Sequence, residues 1–263
     1  MRDIKIRTII LIWIGIMICV GELPISYDDA MRNNGVIESA LTSIMLIVLM
    51  IIGRVKLKLI KEKVIEFKEK VSLKEIIFLL VLGMIFSEGS GLISEGITYL
   101  INPEYAIKIL ESSSENINGI IQLVMYLIGV SFIVPIVEEV IFRRIFFIRL
   151  SKRFGIISGM IISSVVFGMI HYKFSIIGAI VFGITCCILY KKYGNLIANI
   201  SLHILNNGVC GLMTIVYYFN GTTNDIYTTI DVKSDLIIGI PLTIISLVIF
   251  IIYFRKNKRF WYK

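Results

Sequence analysis

Eight stretches of this chain are apolar enough, over enough residues, to be read as helices in a bilayer. That pattern settles the class of fold before any motif is considered. A spanning helix needs about 20 mainly apolar residues, with a workable range of roughly 17–25. Runs that approach this length lie at about 8–21, 36–53, 76–93, 118–142, 156–171, 174–190, 195–216 and 236–254. The expectation is an all-α, polytopic membrane helical bundle of about eight transmembrane helices, folded as a single integral membrane domain over 1–263. With 57% hydrophobic and 17% charged residues, the composition lies far from the soluble average of about 25% charged. A soluble globular enzyme, a disordered chain and a disulfide scaffold are thereby excluded.

The first run follows Arg2, Lys5 and Arg7 as a signal peptide's apolar core would, but no small-residue cleavage site comes after it, so it reads as a retained helix. Cys19, Cys186, Cys187 and Cys210 all lie inside apolar runs and form no CxxC pair. They provide neither a disulfide framework nor a zinc knuckle.

A net charge of +8 invites a nucleic-acid reading, yet in a membrane protein the distribution of basic residues reports orientation first. With the N-terminus placed in the cytoplasm, the inner segments 1–7, 54–75, 143–153, 191–194 and 255–263 carry 3, 8, 5, 2 and 5 of the Lys and Arg residues, 23 of 27 in all. The outer connections hold only Arg32, Lys108, Lys173 and Lys233, beside ten acidic residues. Both termini are expected to face the cytoplasm of a multi-pass protein in the cell membrane. The partners implied are membrane lipids and no nucleic acid. The segment Arg54 to Glu75 mixes eight basic and four acidic residues with apolar ones that include Leu57, Leu59, Ile60, Val64, Ile65, Phe67 and Val71; it suits a helix lying on an anionic leaflet and equally a solvated connector.

Sorting charges this way leaves Glu38, Glu88, Glu138, Glu139 and both histidines at membrane depth. An ionisable group there costs at least about 2.5–3.5 kcal/mol on insertion scales, so such residues line protein interiors or wet cavities and are functional by default. Glu38 and Glu88 fall near the outer ends of their runs, where solvation explains them. In V-E-E-V-I-F-R-R, Glu139 and Arg143 stand four apart on one helical face and can pair. Glu138 is turned about 100° away and is free to meet a cavity. Two adjacent carboxylates in different surroundings suit acid and base work, although a salt-bridged helix end has the same spelling. Phe167 and His171 in F-G-M-I-H, and His203 and Asn207 in H-I-L-N-N, are further i, i+4 pairs. Alone, the former is also a satisfied core histidine and the latter interhelical glue. Their concentration on three runs in one half of the chain favours a site, with a motif-bearing core at about 118–216.

E-E-x-x-x-R at Glu138, Glu139 and Arg143, F-x-x-x-H at Phe167 and His171, and H-x-x-x-N at His203 and Asn207 resemble, in order, the three motifs of the CPBP intramembrane proteases. These comprise the type II CAAX prenyl endopeptidases and the bacterial bacteriocin-processing or immunity (Abi) proteins. The resemblance covers about 130–210. It implies an eight-helix endopeptidase that activates water without an obligatory metal: Glu138 as general base assisted by His171, His203 and Asn207 as oxyanion donors, and Glu139, Arg143 and Phe167 in support. The implied substrate is a membrane-associated peptide or lipidated protein, such as a CAAX tail, a bacteriocin or a pheromone precursor. No metal or other cofactor is expected; a zinc site, were there one, would use Glu138, His171 and His203 as three ligands with one open position, but there is no HExxH. Two rivals carry the same residues. One is a proton-coupled transporter, since intramembrane Glu and His also build relays; the other is a non-catalytic immunity or scaffold protein on the same fold.

Overall fold

The computed structural model describes residues 4–21, 36–111, 117, 119–171, 173–220 and 232–260. Among them the chain is helical, with no strand: α1 (Ile6–Gly21), α2 (Val36–Ile52), α3 (Leu57–Lys70), α4 (Leu73–Ile101), α5 (Pro103–Glu111), α6 (Ile120–Phe154), α7 (Ile156–Met169), α8 (Ile176–Tyr193), α9 (Leu196–Asn220) and α10 (Val232–Asn257). The protein is a polytopic helical membrane bundle. The outer connections expected at 22–35 and over most of 217–235, Arg32 included, lie outside the described residues, as does the side chain of Glu38.

Every one of the eight apolar runs carries a helix, and among the described residues length and composition mark five or six segments as able to cross a bilayer. Five helical segments have the length and composition: Leu73–Ile101, Ile120–Phe154, Lys173–Tyr193, Leu196–Asn220 and Val232–Phe260. A sixth counts only if α2 and α3, bent by 104° at their junction, are one broken span. At 1.5 Å per residue, the 14 residues of α7 rise about 21 Å, short of the ~30 Å hydrocarbon core.

Helix boundaries differ from the expected ones. The run expected to end at 93 continues to Ile101, and its small hydroxyls bond back to the preceding turn: Ser90 Oγ to Ser87 O (3.2 Å), Ser94 Oγ to Ser90 O (2.7 Å) and Thr98 Oγ1 to Ser94 O (2.6 Å). These hydroxyls find their partners within the helix, as apolar surroundings require. Asn102 then ends α4 and caps α5, its Oδ1 accepting from Tyr105 N–H at 3.0 Å. Similarly, the basic segment placed in an inner loop from 143 onward is instead a continuation of α6 to Phe154.

The helices sort into two compact units interleaved along the chain. The first comprises residues 1–71, 115–146 and 195–224, hence α1, α2, α3, α6 as far as Phe146, and α9. Ile4, Ile9, Met45, Leu49, Val137 and Ile145 form its buried cluster, so the Val137 side of α6 is committed to packing on α1 and α2. The chain leaves α2 through Gly53 and Arg54, the latter with φ 47°. Beyond them α3 has no buried residue and is tied down by Asn195 Nδ2, which donates to Lys63 O at 2.8 Å.

The second unit comprises residues 72–114, 147–194 and 225–263. Its helices approach at small residues, as membrane interfaces favour: a Cβ on Gly89 of α4 would stand 2.8 Å from Leu242 Cβ of α10. Ser72 caps α4 by accepting from Glu75 N–H at 3.3 Å. The Glu75 carboxylate accepts from Lys192 Nζ (2.6 and 2.7 Å), from Tyr253 Oη (2.7 Å) and from Tyr193 Oη. That one group joins the start of α4 to the ends of α8 and α10.

Candidate active site

α6 is not a uniform α-helix. Its backbone widens into π-helical register at Gly129–Ile133 and again at Val140–Phe147, leaving one short α-helical stretch, Val134–Glu139, between them. π-Helical insertions occur mostly as single turns and concentrate at functional sites. Glu138 and Glu139 occupy the last two positions of that stretch.

The carboxylates diverge as their 100° offset requires. Glu139 is fully buried and pairs with the equally buried Arg143, Oε2 to Nε 3.1 Å. It also hydrogen-bonds to the Asn199 side chain, and its Oε1 lies 3.0 Å from His203 Nδ1. Glu138, 16% exposed, places Oε2 3.5 Å from His203 Nε2. The imidazole of His203 therefore bridges the two carboxylates, one per ring nitrogen. A carboxylate paired with guanidinium accepts, so Nδ1 carries the proton toward Glu139, a tautomer assigned from the network. Nε2 is then the nitrogen that can take or give a proton beside Glu138. A carboxylate that orients an imidazole from behind while the far nitrogen faces the chemistry is a recurrent catalytic device.

α9 presents this histidine within a row. Asn199, His203, Asn207 and Gly211 follow at four-residue intervals on one face. Asn207 Nδ2 donates to Val130 O in the first π-helical segment at 2.9 Å, and its Oδ1 accepts from Asn206 Nδ2 at 3.3 Å. Gly211 marks a close approach of the two helices, since a Cβ there would meet Leu127 Cδ2 and Ser131 Oγ at 3.0 Å.

Five of the seven residues singled out from sequence thus come together in the first unit: Glu138, Glu139, Arg143, His203 and Asn207. Arg143, counted above with an inner loop, is instead sealed inside, because Glu139 one turn earlier supplies its counter-charge. Asn199 was missed; its signal was the extension of H-x-x-x-N to N-x-x-x-H-x-x-x-N.

Phe167 and His171 belong to the second unit. His171 lies just past the end of α7, which stops at Met169. Its Nδ1 donates to Phe167 O at 2.7 Å and its ring rests on the Phe167 ring, centroids 4.4 Å apart. Phe167 itself is fully buried against Phe182. The F-x-x-x-H spacing is realised as a backbone tie plus a ring contact, which fixes the imidazole's direction. Among the described residues no three His, Cys, Asp or Glu side chains group so as to hold a metal ion.

Residues 120–209 match the family model described as "Type II CAAX prenyl endopeptidase Rce1-like", a stretch that opens with α6 and includes Glu138, Glu139, Arg143, Phe167, His171, His203 and Asn207. Over that stretch the chain is similar to the type II CAAX prenyl endopeptidases. It is also similar to a protein from Bacillus subtilis (strain 168), "Putative membrane peptidase YdiL", 34% identical over 129 residues, which are 47% of this chain and 52% of that protein. The chain thus spans about half the length of the curated relative it matches. No solved structure matches it.

Proposed function

We propose that this protein is an intramembrane endopeptidase of the CPBP type, hydrolysing a membrane-associated peptide or the tail of a lipidated protein. The observation that carries this reading is the His203 imidazole held between Glu138 and Glu139, with Arg143 pinning Glu139 from the other side. In the proposed reaction Glu138 takes a proton from water as the oxygen adds to the scissile carbonyl. The proton then passes to the leaving amine as the C–N bond breaks, giving a carboxylic acid and an amine. His203, oriented by Glu139, stands beside Glu138 to share that proton or to donate to the oxyanion. Asn207 has a second amide hydrogen for the same oxyanion. The family resemblance gives His171 a share in activating the water, and we adopt that assignment as part of the proposal.

The deciding experiment compares cleavage of a membrane-tethered peptide by the wild type and Glu138→Gln in the same bilayer. General acid–base groups contribute typically 10²–10⁴-fold, so the expected result is cleavage by the wild type and a loss of that order in the variant. Equal cleavage sinks the glutamate mechanism. Absence of cleavage by both, with proton flux that Glu138→Gln abolishes, favours the proton-coupled transporter. A protein that does neither fits the immunity or scaffold reading. Trapping a bound substrate on Glu138→Gln in native membranes is the route to its identity.

A further inference from the structure

Pro135 sits inside α6 and has no N–H to give. In a regular α-helix the carbonyl left without a donor would be that of Ser131, four residues back. The π-helical register at Gly129–Ile133 moves the vacancy, because Val134 N–H donates to Gly129 O, five residues back. One residue on, the corresponding partner of Pro135 is Val130 O, and no proton is available for it. That carbonyl is the one that accepts from Asn207 Nδ2 at 2.9 Å. Buried carbonyls are rarely left without a donor, and here the donor is supplied from another helix.

We propose that Asn207 is a positioning residue: its amide takes the carbonyl that Pro135 leaves vacant and so sets the height and rotation of α9 on α6, bringing His203 between Glu138 and Glu139. The neighbouring rungs agree. Four residues along, Gly211 permits the close approach to Leu127 and Ser131; four residues back, His203 reaches both carboxylates. A bond to one backbone carbonyl fixes the register, since sliding by a residue would take the Asn207 amide off Val130 O. The catalytic consequence rests on the peptidase reading, whereas the coupling of Asn207 to Pro135 does not.

The test is a double-mutant cycle on the full-length protein in lipid, with Asn207→Ala, Pro135→Ala and the pair. Asn207→Ala should lower the thermal unfolding midpoint in the wild-type background. Pro135→Ala restores an N–H, so adding Asn207→Ala to it should lower the midpoint much less. Equal shifts in both backgrounds overturn the proposal. Should Pro135→Ala not fold, Asn207→Asp decides: it keeps the size but turns lone pairs on Val130 O, and a wild-type midpoint at neutral pH would refute the clamp. On a cleaved peptide, Pro135→Ala alone keeps Asn207 but fills Val130 O from within α6, so it should lower kcat with KM little changed. A wild-type kcat in that variant would overturn the positioning role. If even the wild type cleaves nothing, the peptidase reading fails, and the stability cycle still decides the clamp.

Discussion

Arg143 Nε lies 3.1 Å from Glu139 Oε2, one turn apart on α6, with both side chains wholly shielded from solvent. Separating such a pair is far more damaging than removing it, because the survivor is a buried charge without its counterpart, a cost of about 3–5 kcal/mol. Arg143→Met should therefore destabilise by that order, and Arg143→Met with Glu139→Gln by clearly less. Chemical unfolding of the three proteins in one detergent checks the ordering.

Glu138 is 16% exposed and stands at the looser distance of 3.5 Å from His203 Nε2, so its removal should be felt more in turnover than in stability. Glu138→Gln keeps the shape of the side chain and should cost less than about 1 kcal/mol of stability, no more than a typical single substitution. The same denaturation series measures it. A large loss of stability would mean that the carboxylate is structural.

Phe167 and His171 should separate by phenotype although they touch. Phe167 is fully buried, and Phe167→Ala should cost about 3–5 kcal/mol through the lost contacts and the cavity left behind. His171→Ala leaves that core in place, and the expected outcome is a folded protein with little or no cleavage. Circular dichroism melts beside a peptide-cleavage assay distinguish the two.

The proposed mechanism, in which carboxylate and imidazole activate the water, gives a prediction about metals. Under it, exhaustive chelation of the purified protein should leave peptide cleavage within about twofold of the untreated protein. Complete loss restored only by zinc would move Glu138, His171 and His203 into the role of ligands.

α3 should lie at the bilayer surface. The chain turns by 104° between α2 and α3, and Leu57 and Ile65 stand 73% and 56% exposed on the face they share with Lys61 and Lys68. Apolar side chains beside long cationic ones suit a helix lying on anionic headgroups. Spin labels at positions 57 and 65 should be relaxed by lipid-soluble oxygen, while a label at the opposite-facing Glu66 should not. Equal relaxation by a water-soluble nickel complex at all three positions would instead mark a solvated connector.

The helical class and the five residues of the first-unit site were legible because they rest on short-range regularities. Run length reports a membrane helix, and four-residue spacing puts Glu139 with Arg143 and His203 with Asn207. Helix ends were less legible: hydroxyls at Ser90, Ser94 and Thr98 look like punctuation in a sequence but bond to their own helix once formed. The eight apolar runs stand beside five or six described helical spans long enough to cross, because apolar content does not measure length, as α7 shows. Least visible was the register of α6. Pro135 announces a disturbance, yet only the tertiary partner, Asn207, shows where the vacant carbonyl ends up.

The carboxylate of Glu75 receives its donors from residues made at very different times. Lys192 and Tyr193 follow it by more than a hundred residues, and Tyr253 by 178. Chains are made from the N-terminal end, so this ring of donors closes only when α10 arrives. Until then that acid is one hydroxyl short, a chemical mark that separates the open ring from the closed one.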